Sequence, residues 1–132
     1  MRSIPLHSSA HSVLIDITQR VQTELEQSGV GEGVCFVHVP HTTAAVVVQE
    51  NADPDVPHDI LATLERLVPW QGPYRHGEGN AAAHVKAALV GSSVAIPVHE
   101  GHLGLGTWQA IFFCEFDGPR GRQVHLQVVA AI

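Results

Sequence analysis

Charge, aromatic residues and cysteine are all scarce in this chain, and each scarcity excludes something. Of 132 residues only 15% are charged and 5% aromatic, against 45% apolar, which describes a globular chain rather than a disordered one. Lys and Arg number 7 against 13 Asp and Glu, for a formal net charge of −6, with no basic run. Neutralising a phosphate backbone needs clustered Lys and Arg, so a nucleic-acid surface is excluded and small-molecule partners are favoured. The two cysteines, Cys35 and Cys114, lie in apolar, strand-like runs without a C-x-x-C spacing. They read as buried free thiols, not as a disulfide framework or zinc knuckle. No apolar run approaches the ~20 residues of a membrane span, and "MRSIPLHSSAHS" lacks the continuous apolar region of a signal peptide. No membrane association and a cytoplasmic location are the expectations.

Histidine, by contrast, is plentiful, with ten in the chain. Imidazole is both the common metal ligand and the side chain that titrates near neutrality, so their placement matters. "HSVLIDIT" reads as a strand, and "TQRVQTELEQSG" as a helix with Ile17, Val21 and Leu25 at i, i+4, i+8, stopped by Gly29. "GVCFVHVPH" and "TTAAVVVQE" read as neighbouring strands broken at Pro40-His41-Thr42. "NADPDVPHDILATLERLVP" carries Val56, Ile60, Leu64, Leu67 and Val68 along one helical face until Pro69. "WQGPYRHGEG" is a loop, and "NAAAHVKAALVG" a short helix with Asn80 as N-cap and Gly91 as stop. The remainder is β: "SSVAIPV", the turn "HEGH", the strand ending "WQAIFFCEF", the turn "DGPRG" and "RQVHLQVVAA". With no repeat or linker, residues 1–132 read as a single compact α+β domain, mostly antiparallel β-sheet with two to three short helices, its strands concentrated toward the C-terminus.

The chemistry concentrates in "YRHGEGNAAAH" and "PHTTAA". A helix capped at Asn80 puts His84 one turn along, with His76 and Glu78 just upstream, so that loop and helix start share one pocket. His41, at a strand end beside two hydroxyls and a run of small residues, supplies a third imidazole. Three neutral imidazoles with open coordination positions match a catalytic zinc-type site, with Glu78 as supporting carboxylate or general base through bound water. "HEGH" is not the H-E-x-x-H zinc motif, since His99 and His102 are three apart in a turn. "GHLGLG" precedes a strand rather than a helix and is no dinucleotide loop. "EFDGPRG" reads as a hairpin whose Arg120 is a candidate anion fork. Lys86, about 200° around the helix from His84, is expected to face solvent. His7, His11, His38, His58 and His125 lack supporting neighbours and read as surface or core residues.

In order, "HTTAAVVVQENADPDV", "YRHGEGNAAAHVK" and "LGTWQAIFFCEFDGPR" resemble the YjbQ family, also called secondary thiamine-phosphate synthases, over nearly the whole chain. The resemblance implies a compact α+β fold, a homotrimer, and a metal or anion pocket lined by His41, His76 and His84, with zinc the leading metal and magnesium the other. It also implies catalytic roles for Glu78, Thr107 and Arg120, and substrate contacts from Thr42, Asn80, Gly106, Trp108, Gln109 and Asp117. Glu115 falls in the same E-F-D-G-P-R segment. Where the family has G-N-A-D-A-H this chain has "GNAAAH", so Ala82 removes a carboxylate. The implied reaction joins hydroxymethylpyrimidine diphosphate to a thiazole phosphate with release of pyrophosphate. A metal-dependent hydrolase of a small phosphorylated or amide substrate, and a non-enzymatic metal- or metabolite-binding protein, are the competing functions.

Overall fold

The computed structural model describes residues 1–132. Eight strands and three helices alternate along the chain as β1 (Arg2–His7), β2 (Val13–Asp16), α1 (Thr18–Ser28), β3 (Gly33–His38), β4 (Ala44–Glu50), α2 (Asp55–Leu67), α3 (Ala81–Val90), β5 (Ser93–His99), β6 (His102–Leu103), β7 (Gln109–Glu115) and β8 (Gly121–Ala130). The strands form a five-stranded sheet in the order β1-β8-β3-β5-β6 and a three-stranded sheet in the order β2-β7-β4. Every pairing is antiparallel. The fold is therefore the expected α+β domain, but its strands run from one end of the chain to the other and are not gathered toward the C-terminus.

The continuous apolar runs of β4 and β7 follow from burial on both faces of the smaller sheet. Along β4, Ala44, Val46 and Val48 enter a core shared with Ile4, Val37, Val124 and Leu126 of the larger sheet. The intervening Ala45 and Val47 pack instead with Ala83 and Ala87 of α3 and with Leu61 and Leu64 of α2. A strand covered on both sides has no polar phase to display. β8 is covered on one side and alternates: Val124 and Leu126 are buried while Gln123 and Gln127 are exposed. Helix α1 closes the shared core with Val21 and Leu25, and ends at Gly29 in the left-handed region, as its sequence requires. Cys35 and Cys114 are buried free thiols whose pKa values burial pushes up to about 11 and about 12.

Four sequence expectations need correction. β3 and β4 are consecutive but unpaired, because the chain changes sheet at Pro40–Thr43. "DGPRG" is likewise no hairpin: β7 and β8 belong to different sheets, and residues 116–120 carry the chain from one to the other. Helix α2 has the predicted apolar spacing, yet no residue in it is fully buried, and Leu67 is 70% exposed. Lys86 faces away from His84 as expected, but into the protein. It is 2% exposed and ion-paired with Glu65, because α2 lies over that face of α3.

Candidate functional site

The chain changes sheet six times, and two of those changes, β3 to β4 and β7 to β8, meet at the same edge of the molecule and build the site. Ala44 and Glu115 are cross-strand partners at the ends of β4 and β7, and the Phe116 N–H donates to the Thr43 carbonyl at 3.2 Å. The joint is closed by a buried ion pair. Glu115, fully buried, accepts from Arg122 Nε at 2.9 Å and from its Nη2, from the Ser8 hydroxyl at 2.7 Å, and from the Asp117 N–H at 3.0 Å. Arg122 also donates to the Thr43 hydroxyl at 2.9 Å. Burial raises the Glu115 pKa, but the bonds from Arg122, Ser8 and the Asp117 N–H outweigh it and hold the carboxyl below the ordinary glutamate value. Gly118 is required in the corner, since a Cβ there would lie 2.3 Å from the Ala10 carbonyl oxygen.

The third contribution comes from the loop before α3 and from the helix itself. Asn80 takes the N-cap position without capping the helix through its side chain. Its Nδ2 donates instead to Asp117 Oδ2 at 2.9 Å, tying the loop to the β7–β8 connection. Asp117 also accepts from Arg120 Nη2 at 3.2 Å, and its carbonyl from Arg120 Nε at 2.9 Å. The Asn80 Oδ1 is left buried with no partner in the protein. Flipping the amide would set that oxygen against the Asp117 carboxylate, so the acceptor is held where it is.

Between these segments lies a cavity of about 460 Å³ whose lining is polar apart from Pro40. His41, His76, Glu78, Asn80, His84 and Arg120 line it, as does Thr42. His76 and His84 stand edge to face with ring centroids 5.1 Å apart, and Glu78 Oε2 is 3.8 Å from His76 Nε2. His41 Nε2 accepts the Gln123 N–H at 3.1 Å. Burial, and next the Arg122 guanidinium, lower the His41 pKa below the usual imidazole value, so the ring is neutral at pH 7 with its proton on Nδ1. No three His, Cys, Asp or Glu side chains are gathered closely enough to hold a metal ion as they stand. The donor types of His76, His84 and Glu78 are still those of a two-imidazole, one-carboxylate catalytic zinc site, and Glu78 is 76% exposed and free to turn. His41 differs from the expected ligand, because its one lone pair is already engaged.

Sequence reasoning missed Arg122, Ser8 and His11. Arg122 carried a usable signal: it is an inward charge on β8 in phase with Val124 and Leu126. His11 sits against Trp70, with ring centroids 4.4 Å apart, and 4.0 Å from Asp117 Oδ1, so it is not an isolated surface residue. Ala82 is buried and does not line the cavity. The "LGTWQ" residues need a larger correction. Gly106, Thr107, Trp108 and Gln109 lie at the start of β7 while the cavity lies at its end, about 20 Å away at ~3.3 Å per strand residue. Gln109 closes a local turn on the Gly106 N–H at 2.8 Å, and Trp108 is 63% exposed. Within one chain they do not meet the histidines.

A family model described as UPF0047 protein YjbQ-like matches residues 2–131. The chain belongs to the YjbQ family. Its family relatives include UPF0047 protein YugU of Bacillus subtilis, 42% identical over 130 residues that cover 98% of each chain. A solved structure of a YjbQ/UPF0047 protein from Clostridium acetobutylicum, described as uncharacterized, superposes with a TM-score of 0.96 at 47% identity, covering 98% of this chain and 100% of that one. A hypothetical protein of Aeropyrum pernix gives 0.94 at 39% identity over 98% of each chain. The YjbQ fold thus extends over essentially the entire sequence.

Proposed function

We propose that the cavity is the active site of a metal-dependent enzyme acting on a small phosphorylated substrate, joining hydroxymethylpyrimidine diphosphate to thiazole phosphate with release of pyrophosphate. One observation carries the reading: His41, His76, Glu78, Asn80, His84 and Arg120 come from three separated stretches and line one predominantly polar cavity. The neighbouring charges nearly cancel, with Arg120 against Asp117, Arg122 against Glu115, and Glu78 in addition. A divalent ion, zinc or else magnesium, held by His76, His84 and Glu78, would supply the positive charge a diphosphate requires. The chain's own groups orient the substrate. Arg120 and the His41 Nδ1–H donate to phosphate oxygens, as does the Thr42 hydroxyl, and Asn80 Oδ1 accepts from a substrate N–H or O–H.

In the transfer, the unprotonated thiazole nitrogen bonds to the methylene carbon as that carbon's bond to the diphosphate oxygen breaks. The electron pair leaves with pyrophosphate, and no general base is needed. Hydrolysis is the second reading, favoured by the exposed Glu78 carboxylate 3.8 Å from His76, where it can take a proton from water. Assays for thiamine phosphate and for free phosphate separate them. Arg120→Ala should lower transfer by about tenfold or more. Glu78→Gln should cost a hydrolase on the order of 10²-fold and a transferase far less. Metal-stripped protein as active as wild type, or no thiamine phosphate at any protein concentration, rejects the transferase.

The same proposal places the protein in the cytoplasm, where two free thiols stay reduced. No helix is long and apolar enough to cross a membrane. It also makes the protein a homotrimer, supported by apolar side chains of α2 that the chain leaves open, Leu67 largely and Val56 and Ile60 in part.

A further inference from the structure

His41, Thr42 and His84 line a second cavity as well, of about 360 Å³, on the far side from Glu78 and Arg120. Its remaining walls are Ala44 at the start of β4 and Ala87, Ala88, Gly91 and Ser92 at the end of α3. His84, Ala87 and Ala88 stand at i, i+3 and i+4, so one face of α3 runs from the first cavity into the second. No charged side chain lines the second cavity apart from the titratable imidazoles it shares with the first. Its backbone is also spent: the Gly91 carbonyl accepts the Val46 N–H at 3.1 Å, and the Ser92 carbonyl the Val39 N–H at 2.8 Å. Beyond the shared imidazoles and the Thr42 hydroxyl, Ser92 is the one polar side chain its walls add, whereas an apolar group there would meet methyl groups and glycine backbone. The sequence shows why the space exists, since alanine and glycine occupy positions where larger side chains would fill it.

We propose that the two cavities form one bipartite site, in which the polar lobe takes the phosphate of the substrate and the alanine-lined lobe takes a flat organic group attached to it. The bond between them then lies at the wall of His41, Thr42 and His84. The inference rests on the phosphorylated-substrate reading above and adds a second subsite, so that inorganic phosphate fills half of the site and an aryl phosphate both halves.

The test compares inorganic phosphate with phenyl phosphate by calorimetry, with and without one equivalent of zinc. Phenyl phosphate should bind about tenfold or more tighter, the contribution of burying one ring face. Ala88 is exposed, so Ala88→Leu fills the lobe without disturbing the core. It should abolish the phenyl advantage and leave phosphate affinity unchanged, while Ser92→Leu should act in the same direction from the opposite wall. Arg120→Ala should weaken both probes alike. Equal affinity for the two probes in the wild type, or a phenyl advantage that survives both fillings, overturns the subsite and leaves the phosphate reading standing. Failure of both probes to bind under either condition rejects the phosphate reading, and the subsite with it.

Discussion

The Nε2 atom of His41 accepts a hydrogen bond from the backbone N–H of Gln123, 3.1 Å away on strand β8. A neutral imidazole has one lone pair, so Nδ1 carries the proton and is a donor toward any anion in the cavity. Nitrogen-15 spectra of the His41 ring at pH 7 should show the Nδ1–H tautomer. The folded pKa lies below the ordinary 6.5, so this residue's contribution to stability is complete above pH 6.5 and is lost as pH falls through the native value. Exchange of the Gln123 amide should accelerate over that range. An Nε2–H tautomer, or a ring that titrates above 6.5, contradicts the assignment.

Metal content follows from the same bond. Elemental analysis after dialysis should find about one zinc per chain in wild type and a large loss in His76→Ala and His84→Ala. His41→Ala should keep most of its zinc, because the wild-type ring spends its lone pair on Gln123. If all three variants lose zinc equally, His41 turns to become a ligand and the donor role assigned to it is wrong. Equal content in all four proteins removes the metal site altogether.

Glu115 and Arg122 join the two sheets from inside, so Glu115→Ala leaves a guanidinium buried without its partner. The expected loss is about 3–5 kcal/mol in denaturant unfolding, with Glu115→Gln less severe. The depressed Glu115 pKa places this stabilisation fully above the ordinary glutamate value of 4.5 and removes it as pH falls through the native value. Wild type should therefore lose stability on the acid side of pH 4.5 more steeply than Glu115→Gln. Parallel acid profiles would show that the pair contributes no such term.

If α2 docks against another subunit, light scattering should give three times the 14.2 kDa of one chain. Ile60→Lys and Leu67→Lys should shift the protein toward smaller species, since a charge on the open apolar face opposes docking while disturbing little inside the chain. A wild-type mass of one chain at micromolar concentration ends the trimer proposal.

Most elements were legible because period and punctuation are local. Ile17, Val21 and Leu25 declared α1, Gly29 ended it, and Asn80 and Gly91 bracketed α3. The partition of strands between two sheets was not legible, since alternation reports how many faces are covered but not which strand covers them. "PHTT" and "DGPRG" read as ordinary turns for that reason, although both carry the chain from sheet to sheet. Lys86 shows the same limit on a helix: its angle from His84 was right, but only the placement of α2 decides that this angle points inward. The histidine cavity was found because its ligand-type residues cluster in two short stretches. Arg122 was overlooked because its partner Glu115 lies across the β7–β8 change of sheet, and a motif carries no distance, so the sequence did not show that the "LGTWQ" residues stand away from the histidines within one chain.

The meeting of the β3–β4 and β7–β8 crossings at one edge also sets when the cavity can exist. Segments 40–43, 76–84 and 117–122 are far apart in the chain, so each closure between them carries the entropy of a long loop. A chain that has paired β4 with β7 but not yet stacked the larger sheet holds His84 without Gln123 to orient His41, and Asn80 without a settled Asp117. If the cavity takes phosphate, as proposed above, its binding requires both sheets in place, and phosphate binding during refolding would time the moment the two sheets close on each other.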